Sequence, residues 1–251
     1  MPRRTISPAY IAAQIRRVLK DGGSAPHAEG VQWFFKEVVK SRGWYTGELR
    51  KVAHRFQRTI YREKGQDFLL QICGRLFSGR VLEEKIMAVL MLEKLVDSFG
   101  DSEFRLFESW LSRIRTWADH DALVHYLISP MISAKPARMK KACGWAKSRN
   151  RWHRRAACVA LIRNARSKTG FKEITTLSDS LLSDQDDMVQ KGLGWLLRET
   201  AKADPERTVA YLLKIRDKAP RLVMRTACEP LGAELRRTVL ETRSARAKSS
   251  V

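Results

Sequence analysis

The stretch "VQKGLGWLLRE", Val189 to Glu199, has the apolar spacing of a packed helix. Leu196 and Leu197 lie three and four residues after Leu193, so all three side chains share one helix face. The same spacing recurs along most of the chain, whereas the alternating pattern of a half-buried strand is nearly absent. The sequence therefore predicts an all-α chain of about a dozen helices.

Segments similar to this one recur at nearly constant intervals. "RRAACVAL", "QKGLGWLL" and "MRTACEPL" begin near Arg154, Gln190 and Met224, and each has a base, then small residues, then bulky apolar ones. Helix pairs that repeat at this interval are typical of a helical solenoid. The alternative is that small residues recur by chance wherever helices pack closely. We predict a curved α-solenoid of antiparallel helix pairs with a concave basic face.

The predicted helices are separated by short breaks. In "ADPERTVAYLL", Asp204 is a predicted N-cap and Pro205 the first helical residue. The break "DGGSAPH", residues 21–27, is expected to separate a loosely attached first helix, at about residues 5–20, from the rest. We predict one helical-repeat domain over residues 1–240 and a flexible basic tail over residues 241–251.

The composition indicates a folded protein with a polyanionic partner. Apolar residues make up 44% of the 251, and seven Trp and nine Phe require a core or a stacking role. Lys and Arg number 48 against 27 acidic residues, a formal net charge of +21. Such an excess on a folded body favours nucleic acid as the partner.

The remaining composition argues against export and membranes. The four cysteines form no C-x-x-C pair, so neither a disulfide framework nor a zinc ribbon is indicated. No apolar run reaches the roughly 18 residues that cross a bilayer, and the start lacks the apolar core of a signal peptide. We expect a soluble, unexported protein of the cytoplasm.

Several familiar catalytic and metal sites are missing from the sequence. It has no Walker-type glycine loop, no H-E-x-x-H and no G-x-S-x-G. His120, His125 and His153 have no Cys or carboxylate at metal-ligand spacing, and solvated or core histidines are the better interpretation. We predict neither a metal site nor a cofactor.

A basic cluster surrounds Trp152 at the start of a predicted helix. Its members are Lys147, Arg149, Arg151, Arg154 and Arg155. The amide groups of a helix N-terminus add to the attraction of such side chains for phosphate. A solvated helix end would explain any one of these residues, but five within nine residues favour contacts with DNA phosphates.

The stretch "RTWADHD", Arg115 to Asp121, places Trp117 four residues before Asp121. If Asp119 caps a new helix, Asp121 lies in its first turn, where the helix dipole favours an ionised carboxylate. By spacing alone, an ordinary helix boundary with a core tryptophan is favoured over a chemical pair.

"TWADHD", "RWHRRAA" and "VQKGLGWLLRE", in this order, resemble the bacterial DNA alkylation repair glycosylases of the AlkD type, which are built from HEAT-like repeats. "GELRKVAHRF" is similar to that family's N-terminal signature. The resemblance implies that Asp121 is the catalytic carboxylate and that Trp117 and Trp195 are the aromatic walls of the lesion site. It also implies DNA contacts by Arg155, Lys191 and Arg198.

The resemblance further implies a monomeric DNA glycosylase of the bacterial cytosol, without metal or cofactor. Its substrate would be double-stranded DNA containing cationic N3- or N7-alkylated purines such as 3-methyladenine and 7-methylguanine. The alternative is a non-catalytic HEAT-like protein that binds branched or bent DNA through the same basic face. A third possibility is a scaffold that binds RNA or protein.

Overall fold

The computed structural model describes residues 6–241, and these residues form an all-α fold. Between residues 6 and 241, β-type pairing is limited to one isolated bridge that joins Lys40 and Val81. In the same range, no helix has an apolar stretch long enough to span a bilayer. The prediction of an all-α chain is confirmed. Of the predicted tail, residues 242–251 lie outside the described residues.

The chain divides into two compact units, Met1–Leu127 and Ile128–Val251. The single repeat domain over residues 1–240 therefore stays a prediction. The helices of the first unit are α1 (Pro8–Asp21), α2 (Ala25–Gln32), α3 (Thr46–Phe77), α4 (Leu82–Leu90), α5 (Asp101–Trp110) and α6 (Trp117–Leu123), with 3₁₀ turns at Glu93–Ser98 and Leu111–Arg113. A π-helical turn, Val124–Ile128, follows α6.

The first helix packs closely on its neighbour. Ser7 caps α1, and the helix buries Ala12, Ile15 and Leu19 in contact with α3. These side chains are at most 1% exposed, which is closer packing than the loose attachment expected from the glycine-containing break. The glycine-containing break thus ends α1, but the helix remains packed on α3.

Aromatic residues form the centre of the first unit. Phe77, at the end of α3, stacks on Trp110 with ring centroids 4.5 Å apart, and Phe107 meets Trp110 edge to face at 5.3 Å. All three side chains are fully buried. α3 itself is kinked at Gly65, whose φ of +77° lies in the left-handed region that favours glycine.

The second unit, as far as residue 241, is also built of α-helices. They are α7 (Ser129–Ala134), α8 (Pro136–Gly144), α9 (Arg151–Ala160), α10 (Ile162–Arg166), α11 (Phe171–Leu181), α12 (Asp187–Ala203), α13 (Pro205–Ile215), α14 (Arg221–Ala227) and α15 (Ala233–Leu240). Asp204 caps α13 and Pro205 is its first residue, so the predicted boundary is confirmed.

The three sequence repeats fall on α9, α12 and α14, and α12 packs against both of the others. The two glycines of "GLGW" allow this double contact. A methyl group on Gly192 would lie 3.2 Å from Cγ of Arg155 in α9, and one on Gly194 would lie 2.9 Å from Cβ of Thr226 in α14. The repeat therefore marks the helices that stack side by side, as in a helical solenoid.

Candidate functional site

Trp117 and Asp121 lie on α6, whose first turn is fixed by a capping box. Thr116 is the N-cap, and its hydroxyl accepts a hydrogen bond from the Asp119 amide. Asp119 in turn accepts from the amides of Thr116 (2.7 Å) and Arg115 (3.0 Å). The expectation that Asp119 caps this helix is wrong, because Thr116 does so and Asp119 occupies the third helical position.

A buried lysine forms an ion pair with the first turn of α6. Nζ of Lys85, in α4, lies 3.6 Å from Oδ2 of Asp119, and the two side chains are 2% and 1% exposed. Lys85 also donates to the carbonyls of Phe77 (2.9 Å) and Arg113 (2.7 Å). Burial lowers the pKa of Lys85 below its usual value, although the charge of Asp119 opposes this shift. The start of α6 is thereby tied to both α3 and α4.

The spacing of four residues places Trp117 and Asp121 on the same face of α6. Oδ1 of Asp121 lies 2.6 Å from Nδ1 of His120, a side chain that is fully buried, whereas the Asp121 side chain is 20% exposed. The contact orients the carboxylate, and part of the side chain remains exposed at the surface. The first unit thus presents an aromatic ring and an oriented acid within one turn of helix.

Two aromatic residues that the sequence analysis missed surround Trp117. Nε1 of Trp117 donates to the carbonyl of Phe34 at 3.3 Å. The ring of Phe35 stacks on the Trp117 ring, with centroids 5.1 Å apart and an interplanar angle of 18°. The signal that could have drawn attention to them is the run of three consecutive aromatics, "WFF", at residues 33–35.

In the second unit, Arg155 is a packing residue of α9. Its side chain is buried, with 6% of the residue exposed, and Nη1 donates to the carbonyl of Met188 at 2.7 Å. Its stem lies against Gly192 at the contact between α9 and α12. The guanidinium group is directed into this contact between helices. The packing therefore does not expose Arg155 at the surface, where a DNA backbone could reach it.

Trp195 lies on α12, three residues after Gly192, and is half-buried. Its Nε1 is buried and has no hydrogen-bond acceptor among the residues that the structure describes. A buried indole N–H normally has an acceptor, so this atom is an exception to the usual pairing of buried polar groups. Trp195 is the second predicted wall of the lesion site.

Of the other predicted DNA-binding residues, some form ion pairs with acidic side chains among the described residues and some do not. Arg151 lies 3.6 Å from Asp186, Arg154 2.6 Å from Asp184, Lys191 3.3 Å from Asp187 and Arg198 3.0 Å from Glu229. By contrast, Lys147 and Arg149 are exposed, and no acid within residues 6–241 pairs with either. These two side chains are the best placed of the set to contact phosphate.

The cysteines are poor candidates for nucleophiles. Burial raises the pKa of Cys158 to about 12 and that of Cys228 to about 11, and it also raises the pKa values of Cys73 and Cys143. Thiolate is the nucleophilic form and is scarce at neutral pH under these conditions. In the described part of the chain, no group of His, Cys, Asp or Glu side chains is arranged to hold a metal ion.

The predicted site residues fall in both units. Trp117 and Asp121 belong to the first, and Trp195 and Arg155 to the second. In the first unit, Trp117 and Asp121 lie one turn apart on α6. In the second unit, Arg155 lies on α9 and Trp195 on α12. A single three-residue site formed by Trp117, Asp121 and Trp195 stays a prediction.

Comparisons with known proteins agree with these features. A solved structure described as a predicted DNA alkylation repair enzyme from Enterococcus faecalis is similar, with a TM-score of 0.76 and 16% identity over 84% of this chain and 97% of that one. The sequence has no match among curated proteins. The model of the DNA alkylation repair enzyme family matches residues 15–231. The chain therefore belongs to the DNA alkylation repair enzyme family.

Proposed function

We propose that the protein is a monofunctional DNA glycosylase that removes cationic N3- and N7-alkylated purines from duplex DNA. The observation that carries the proposal is the position of Asp121, a partly exposed carboxylate oriented by His120, one turn from Trp117. A protein that only binds DNA does not need an acid there, because a carboxylate repels phosphate. Membership of the repair family supports an enzyme acting on alkylated DNA.

The chemistry requires little from the protein. An alkylated purine already carries a positive charge, so the glycosidic bond breaks with its electron pair going to the base, which leaves neutral without being protonated. The sugar becomes oxocarbenium-like, and the Asp121 carboxylate stabilises that charge. Water then adds to C1′ and loses a proton to Asp121 or to solvent, which gives an abasic site and the free base.

The tryptophans contribute to binding of the cationic nucleotide. Electron-rich indole faces attract cations by about 0.5–2 kcal/mol each. Trp117 is half-buried and is held by Phe34 and Phe35, so its ring orientation is fixed before DNA binds. Trp195, with an indole N–H that lacks an acceptor in the described chain, is proposed as the second aromatic wall.

The test is release of methylated base from a methylated duplex by the wild-type protein, by Asp121→Asn and by Asp97→Asn. Asp97 is an exposed acid of the same unit and serves as the matched control. We expect wild type and Asp97→Asn to release base and Asp121→Asn to be at least about a hundredfold slower, the scale of a lost transition-state charge contact.

Equal release by all three proteins would remove Asp121 from the mechanism. If no protein releases base, the enzyme hypothesis fails. Comparison of binding to branched, bent and plain duplexes would then test the non-catalytic alternative.

A further inference from the structure

Two adjacent aromatic side chains project into solvent at the end of α2. Trp33 is 90% exposed and Phe34 is 74% exposed. Single exposed apolar residues are common on soluble proteins, but two neighbouring aromatic rings exposed to this degree are typical of a binding surface. We call this pair the aromatic wedge.

The backbone that carries the aromatic wedge is firmly held. The side-chain amide of Gln32 donates to the carbonyl of Glu37 at 2.8 Å, and its oxygen accepts from the amide of Val39 at 2.9 Å. At the end of the loop, the Leu82 amide donates to the carbonyl of Lys40 at 2.8 Å. The two rings are therefore exposed on a loop whose backbone is held by hydrogen bonds.

The aromatic wedge adjoins the candidate site. The carbonyl of Phe34 accepts the hydrogen bond from Nε1 of Trp117, and the next residue, Phe35, stacks on the Trp117 ring. A DNA strand that reaches Trp117 therefore also meets the wedge. Neither Trp33 nor Phe34 contributes its ring to the packing of Trp117, so both rings are available for a ligand.

The loop that carries the aromatic wedge continues into a basic depression, which it enters at Val38. Lys40, Arg80 and Arg115 line one depression of the first unit, together with the aliphatic side chains of Val38 and Val39. The carboxylate in that depression, Asp119, is paired with Lys85. Exposed aromatics among basic side chains combine stacking on bases with attraction for phosphate, which is how proteins hold unpaired nucleic acid.

We propose that Trp33 and Phe34 stack on a nucleobase that has lost its own stacking partner, at or opposite the damaged nucleotide of duplex DNA. The proposal rests on the proposed function in one respect, because it places the damaged nucleotide at Trp117. The wedge gives the protein a preference for positions where the duplex is locally opened. It acts by binding and takes no part in bond cleavage.

The test measures binding to a duplex with a tetrahydrofuran abasic-site analogue and to the matching intact duplex. The proteins are wild type, Trp33→Ala, Phe34→Ala, the double variant and Trp33→Phe. The controls are Tyr10→Ala and Tyr61→Ala, which remove exposed aromatics from α1 and α3. A 2-aminopurine beside or opposite the abasic position reports stacking through the quenching of its fluorescence.

We expect wild type and both controls to prefer the abasic duplex and to quench 2-aminopurine. Each single alanine variant should lose about fivefold or more in affinity for the abasic duplex while keeping its affinity for the intact one. Trp33→Phe should keep most of the preference, because it retains an aromatic face. Since both rings are exposed, thermal unfolding of the variants should match wild type.

Unchanged abasic affinity in the double variant would overturn the proposal, as would an equal loss on both duplexes. Self-association of wild type that the double variant abolishes, with DNA binding unaffected, would assign the wedge to a protein interface and would also overturn it. Because these measurements need no base release, they stay informative if the glycosylase assay fails. Conversely, base release by a wild type that shows no wedge effect would leave the proposed function standing.

Discussion

Lys85 and Asp119 form an ion pair in the interior of the first unit, with Nζ and Oδ2 3.6 Å apart and both side chains at most 2% exposed. Asp119 also closes the capping box that begins α6, the helix of Trp117 and Asp121. The buried pair therefore connects the packing of α3 and α4 to the position of the candidate catalytic acid. Buried charges are costly unless they are paired and hydrogen-bonded, and here the lysine has two carbonyl acceptors besides the acid.

Lys85→Met should lower the free energy of unfolding by about 3 kcal/mol, because it leaves the Asp119 charge buried without its cation. Urea denaturation measures this loss. Base release, assayed below the unfolding transition, should also fall because the start of α6 is no longer fixed. Lys94→Met, at an exposed lysine of the same unit, is the control and should change neither. Wild-type stability in Lys85→Met would show that the pair does not stabilise the fold.

Gly194→Ala should destabilise the second unit by about 1–3 kcal/mol, because the added methyl group would lie 2.9 Å from Cβ of Thr226 and force α12 away from α14. Gly144→Ala is the matched control. It also lies in a helix but has nothing within 4 Å of the added methyl group, so it should be neutral or slightly stabilising. Thermal unfolding of the two variants distinguishes these outcomes, and equal melting temperatures would contradict the close contact.

Because of Glu199, the free energy of unfolding should fall as the solution is made acidic. Burial alone would raise the pKa of Glu199, but hydrogen bonds from Arg166 and Lys202, with their charges, outweigh burial and lower the pKa below its ordinary value. A carboxylate with a lowered pKa in the folded state stabilises the fold above its unfolded pKa. That contribution is lost as the pH falls through the folded value.

Glu199→Gln should therefore cost about 2 kcal/mol at pH 7, since hydrogen bonds to a charged group are lost. The difference in the free energy of unfolding between Glu199→Gln and wild type should become progressively smaller below about pH 4.5. Urea denaturation at a series of pH values measures it, with Glu63→Gln, at an exposed acid, as the control. A difference that stays constant down to the acid transition would show that Glu199 does not titrate as described.

Lys147 and Arg149 should contribute to DNA affinity in a salt-dependent way. Replacing both with Ala should weaken binding to every duplex by a similar factor. It should also reduce the slope of log K against log salt by about 1 for each lost phosphate contact. Lys172→Ala and Lys218→Ala are exposed lysine controls in the same unit. A wild-type affinity that hardly changes between low and physiological salt would contradict phosphate binding altogether.

Helix content and repeat spacing were accessible from the sequence because both depend on local relationships. Residues three and four apart share a helix face whatever surrounds them, and Leu193, Leu196 and Leu197 show this pattern. The small residues of the repeat likewise mark α9, α12 and α14 as closely packed helices. The sequence did not predict that Trp117 and Asp121 share one helix, because the expected start of that helix was Asp119, whereas Thr116 caps it and Trp117 is its first residue.

Contacts between distant parts of the chain were decided by tertiary structure alone. Arg155 looked like one more member of a basic cluster, but the packing of α12 on α9 buries it. Trp117 donates a hydrogen bond to Phe34, 83 positions away in the sequence, and Lys85 forms an ion pair with Asp119 of another helix. No local pattern encodes such contacts, because they depend on how the intervening helices pack. The sequence by itself determined the helices and the charge of this protein, and packing decided which side chains are buried, paired or exposed.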